Sequence, residues 1–176
     1  SQRLYEVGFS DNRQFSLIGT DGGLLSAPVG MTRYRMAPGQ RADILVDLSA
    51  DMGTNIQLMN YGSELPNAVY GAAQPGMGAG ATASLVGYTD NPLNGADFQL
   101  LDISVVAQTT SPVSVIPSTL ATLTPLLEGA ENITRDLTFT SATMGDLSGP
   151  FFINGSTFDM GTINYTVPLD NIEIWT

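Results

Sequence analysis

Apolar and polar residues alternate along this chain in short bursts, and clusters of turn formers separate the bursts. Residues 3–7 and 14–20 are apolar-rich segments flanking Ser10-Asp11-Asn12-Arg13, whose side chains favour turns. Asp21-Gly22-Gly23 then offers the positive-φ positions that a tight turn needs. Residues 32–36 alternate, and Pro38-Gly39 places Pro at the first central turn position and Gly at the second. The run RADILVDL over 41–48 predicts a strand at a sandwich core, and residues 56–61 predict the next. Period-2 segments with turn signals at close intervals indicate an all-β sandwich or barrel.

The rhythm breaks over 62–97, a stretch rich in Gly, Ala, Pro and Asn that is too long for an ordinary hairpin loop. Residues 98–106 return to strand character. Ser111-Pro112, Ile116-Pro117 and Thr124-Pro125 mark 108–131 as extended, because Pro lacks a donor and fixes φ. The pattern allows one short helix there, at 118–123. Strands are predicted again over 135–140, 150–154 and 165–175. Neither an internal repeat nor a heptad pattern is visible.

Composition narrows the function classes. With 176 residues and 43% hydrophobic content, the chain can bury one sizeable core, or one domain with part of another. Only 13% of residues are charged, against 19 Gly and 10 Pro, which favours strands and turns over solvated helices. No apolar run approaches the ~20 residues of a membrane span. No basic segment precedes an apolar one, so an export signal would lie outside this sequence. The net charge is −11 and all six cations are Arg. A nucleic-acid backbone or an anionic membrane would be repelled. The sequence contains neither His nor Cys. A type 1 copper site needs two imidazoles and a thiolate, so none can form here. Tetrahedral zinc sites, Ser-His-Asp triads and Cys nucleophiles fall on the same ground.

Two stretches resemble the multicopper oxidases, especially bacterial laccases of the copper-efflux and spore-coat kind. The first is GFSDNRQFSLIGTDGGLLSAPV over 8–29, continuing to MAPGQRADILVD over 36–47. The second is FINGSTFD over 152–159, followed by VPLDNIEIW over 167–175, where Asp170-Asn171 replaces the family's Gly region. The resemblance implies an all-β, cupredoxin-like Greek-key fold. It also implies that 1–107 form most of a second cupredoxin-like domain, 108–134 an interdomain connector, and 135–176 the first strands of a third domain. Both ends would then fall inside domains, and unpaired strand edges would favour association of the isolated piece.

In such oxidases copper is bound by domains other than this one, so no catalytic, cofactor-binding or metal-binding residue is assigned to any position here. The implied function is a copper-free structural segment that spaces the copper-binding domains, with 62–97 walling part of the donor approach. Its partners would be the remaining domains of the same polypeptide. The whole protein would use copper, take electrons from a small-molecule or metal-ion donor, and lie in the periplasm or outside the cell. The alternative is a copper-free relative acting as a scaffold or binding protein, as in one bacterial cell-division protein. A third reading is an independent β-sandwich adhesion or carbohydrate module, although Trp175 is the only Trp available for an aromatic platform.

Other motifs read as structure. Residues 76–81 fit G-x-G-x-x-G/A, but Gln74-Pro75 precedes them where a dinucleotide fingerprint needs a strand. Residues 90–97 loosely resemble a calcium loop, yet Pro92 takes a ligand position and Leu101 stands where the bidentate Glu belongs, so a polar turn is expected. Met31, Met36, Met59 and Met160 read as core fillers, which leaves Met77 as the exposed candidate for soft-metal binding. Asn132, Asn154 and Asn164 begin glycosylation sequons, and Asn154 also belongs to an Asn-Gly turn.

Overall fold

Alternation shapes the structure from its first strands. The computed structural model describes residues 3–67, 69–73, 91–142 and 149–176. These form two compact units, one with the described residues up to Leu123 and one from Thr124 to Thr176.

The first unit contains β1 (Tyr5–Phe9), β2 (Phe15–Thr20), β3 (Gly23–Met31), β4 (Tyr34–Met36), β5 (Ala42–Leu45), β6 (Asn55–Tyr61) and β7 (Asp97–Ser104), with a 3-10 turn at Gly62–Glu64. One sheet has the order β4-β1-β6-β7 and the other β3-β2-β5. All pairings are antiparallel. The chain changes sheet between β1 and β2, between β3 and β4, and again on each side of β5, which gives a Greek-key sandwich. Burial follows the pleat: on β2, Phe15 and Leu17 point inward while Ser16 and Ile18 are less buried. Phe9 and Phe15, from opposite sheets, meet edge to face with ring centroids 5.8 Å apart. Together with Ile56 they are the fully buried centre, against which Met31, Tyr34, Ile44, Leu58 and Ile103 pack.

β3 is absent from the sequence prediction. Pro28 interrupts its donor row, and its outer positions are exposed. An edge strand tolerates both, because its outer ladder has no partner to satisfy. The Pro38-Gly39 turn forms as expected: Gly39 has φ +85° and the Gln40 amide donates to the Ala37 carbonyl at 3.2 Å. The helix expected at 118–123 is not formed, and the segment is irregular. Six residues cannot repay helix nucleation without packing. Instead the Leu120 amide donates to Ser26 of β3 at 2.9 Å.

The second unit contains β8 (Ile133–Arg135), β9 (Phe139–Ser141), β10 (Phe151–Ile153) and β11 (Glu173–Trp175). β9 and β10 pair antiparallel, and β8 and β11 pair parallel. The strand predicted over 135–140 is therefore split between two sheets. Only the end of the predicted 165–175 strand forms. Pro168 lacks an amide hydrogen, and Asp170 adopts φ +67°, so the chain turns there before β11. Among the described residues, no helix is long and apolar enough to cross a membrane.

Candidate functional site

With no imidazole or thiol in the sequence, its polar chemistry rests on Arg, carboxylates, amides and hydroxyls. Among the described residues, Arg13, Arg33, Arg35, Arg41 and Arg135 pair with carboxylates. Arg13 reaches Asp11 at 2.5 Å and Asp51 at 2.6 Å, and donates to the Asp47 carbonyl at 3.1 Å. The β1–β2 turn is thereby tied to the loop after β5. The hydrogen bonds from Arg13 hold both carboxyls below the ordinary Asp range.

Arg33 stacks its guanidinium 3.4 Å from the centre of the Tyr61 ring while bonding Glu64 and Asn12. Tyr61 in turn donates its hydroxyl to the Phe9 carbonyl at 2.9 Å. Glu6 is buried, and its carboxylate meets Arg35, directly across the β1–β4 ladder, at 2.7 Å. The Glu6 amide donates to Asn60 Oδ1 at 3.0 Å, and Asn60 is wholly buried. Among the described residues its Nδ2 has no hydrogen-bond partner.

The second unit has one comparable cluster. Arg135 forks onto Glu173, with Nε to Oε2 at 2.7 Å and Nη2 to Oε1 at 2.9 Å. Trp175 Nε1 donates to the same carboxylate at 2.8 Å, and the Glu173 side chain is only 3% exposed. Its carboxyl lies below the ordinary Glu range, chiefly through the Arg135 hydrogen bonds. The Tyr165 and Trp175 rings lie 5.4 Å apart beneath the guanidinium. Asn154, at φ +50°, closes the β10 turn: it accepts from the Thr138 amide and donates to the Asp136 carbonyl and the Tyr165 hydroxyl.

These arrangements pin strands and loops. Among the described residues, the carboxyls with a displaced pKa are Asp11, Asp47, Asp51, Asp159 and Glu173, all displaced downward, so each stays ionised at neutral pH. A type 1 copper site does not fit this chain, because the sequence lacks imidazole and thiolate, and the described residues contain no group of three or more His, Cys, Asp or Glu that could hold a metal ion.

The sequence candidates fall as follows. Residues 76–81, with Met77, and Asp90 lie outside the described residues. The rest of the calcium-like motif is a turn in which Asn91 accepts from the Leu93 amide and Asn94 accepts from Arg3. Two of its oxygens are thus already engaged. Met31 packs against the core and Met36 and Met59 are half-buried, but Met160 is 91% exposed and is no core filler. Asp159 accepts from the Gly161 amide and the Thr162 hydroxyl, making a tight turn that presents Met160 to solvent. Met52 is exposed as well. The Arg-centred clusters were not legible in sequence, because most of their partners lie 20 to 91 positions apart.

Comparison with models of known protein families gives no match. Among curated proteins, the chain is similar to Cell division protein FtsP of Xenorhabdus nematophila, 51% identical over 47 residues, or 27% of this chain and 10% of that protein. It is also similar to Cell division protein FtsP of Salmonella typhimurium, 28% identical over all of this chain and 32% of that protein. The chain therefore spans at most about a third of the relatives it matches. Among solved structures, a laccase from Pediococcus acidilactici is 26% identical with a TM-score of 0.61, covering 98% of this chain and 29% of that one. The laccase-like multicopper oxidase CueO from Ochrobactrum sp. has a TM-score of 0.69 at 24% identity, over 98% of this chain and 34% of that one.

Proposed function

We propose that this chain, which shares the cupredoxin-like fold and part of the sequence of multicopper oxidases, is a copper-free structural segment of a longer polypeptide of that kind. It holds apart the regions that bind copper. The observation that carries this reading is the complete absence of His and Cys from a chain similar to such oxidases over nearly its whole length. The side chains are invested in strand pinning, as a spacer requires. The whole polypeptide takes electrons from phenols or metal ions and reduces O2 to water, and it works in the periplasm or outside the cell. Oxygen consumption by the complete polypeptide with a phenolic donor tests this. Donor-dependent consumption is expected, and its absence at full copper supplementation would defeat the oxidase reading.

A second reading is favoured by the curated relatives, which carry the name of a cell-division protein and match this chain from end to end. The complete polypeptide would then be a copper-free scaffold with this same segment at its middle. A purified complete polypeptide that retains no copper and consumes no oxygen would select it.

A further inference from the structure

An endopeptidase cuts a folded chain where it can draw several residues into its cleft as an extended strand. The backbone there must be free of hydrogen bonds as well as exposed. Upstream, the Leu120 amide is tied to Ser26; downstream, the Ala130 amide donates to the Leu127 carbonyl at 3.2 Å. Between these two bonds, residues 121–126 have neither ladder nor turn, and among the described residues their backbone makes no hydrogen bond. Their leucines lie in solvent: Leu123 is 60% exposed and Leu126 76%, followed by Leu127 at 72%. Pro125 fixes its own φ at about −65° and turns Thr124 away from helical geometry, so the stretch is set as extended chain.

Exposure alone does not single out this stretch, because Phe158, Met160 and Leu169 are 88%, 91% and 92% exposed. Their backbone, however, is folded into turns. The Thr162 amide donates to the Asp159 carbonyl at 3.2 Å, and the Asp159 carboxylate accepts from the Gly161 amide and the Thr162 hydroxyl. The Asn171 amide donates to the Pro168 carbonyl at 3.1 Å across Asp170, whose φ is +67°. Neither turn can enter a protease cleft without being undone.

We propose that the Leu126–Leu127 peptide bond is a cleavage site for a serine endopeptidase with a hydrophobic S1 pocket. Leu126 fills that pocket. Pro125 precedes it, where an extended substrate needs no amide donor, and Leu123 adds an apolar contact further upstream. Water adds across the bond, leaving a carboxylate on Leu126 and an amine on Leu127. The bond lies just past Leu123, the last residue of the first unit, so the amino-terminal product keeps β1–β7 and their core. The site is the same whether the complete polypeptide is an oxidase or a scaffold.

Chymotrypsin digestion of the complete, folded polypeptide, with products identified by mass spectrometry, tests this. The first products should end at Leu126 and begin at Leu127, ahead of any cut within β1–β7 or over 158–170. Leu127→Pro, which places an imino acid after the scissile bond, should abolish this cut, and Leu169→Ala should leave it unchanged. A first cut elsewhere would overturn the proposal. So would survival of this bond in the folded polypeptide under conditions that cleave it in the urea-unfolded one.

Discussion

At the scale of single residues, Phe9 closes the first unit's core, and its burial is complete because Phe15 arrives from the opposite sheet at 5.8 Å. Replacing Phe9 with Ala removes that contact and leaves a cavity, which should cost about 3–5 kcal/mol in urea unfolding. A loss under 1 kcal/mol would show that the Phe9–Phe15 contact does not anchor the sandwich. Glu173 reports on the second unit by pH. Its folded carboxyl lies below the ordinary range, so its contribution is full above the unfolded value near ~4.3 and is lost as pH falls through the folded value. The fluorescence of Trp175, the single Trp and a donor to that carboxylate, should therefore change on acidification below about pH 4.3. In Glu173→Gln the change in that interval should disappear; an identical acid transition in the variant would remove Glu173 from the explanation.

At the scale of elements, the turns carry as much information as the strands. Gly95 has φ +66°, and a Cβ there would meet the Ala73 backbone at 2.6 Å, where the ends of the 62–97 stretch are tied together by the Gly95 amide and the Gly71 carbonyl. Gly95→Ala should destabilise the first unit by about 1–3 kcal/mol in thermal or urea unfolding, and unchanged stability would mean that this tie is dispensable. The strands at 15–20, whose burial alternates, and at 55–61, which carries a bulge between Leu58 and Met59, were legible in the sequence as apolar-rich segments bounded by turn formers. β3 was not, since an edge strand with Pro28 satisfies no pattern and is fixed by pairing with β2. The split of 135–140 was equally hidden. Asn154, 16 and 18 positions away, bonds Thr138 and Asp136 and bends the chain between β8 and β9. The polar clusters share this property: Arg13, Arg33, Arg35 and Arg135 each find a partner that local spacing does not announce. The lack of imidazole and thiolate, by contrast, was legible at once, because it depends on residue types alone.

At the scale of the molecule, two units of unequal completeness follow from one chain. The first has a closed core between two sheets, and the second has ordered strands held by Arg135–Glu173 and Asn154 with Phe139, Phe151 and Ile153 exposed. The most direct measurement is bound copper per molecule, determined after exhaustive dialysis, in the complete polypeptide and in the 176-residue chain side by side. Copper held by the complete polypeptide and none by the chain is the expected result. Stoichiometric copper on the chain itself, or none on the complete polypeptide, would contradict a copper-free segment set between copper-binding regions.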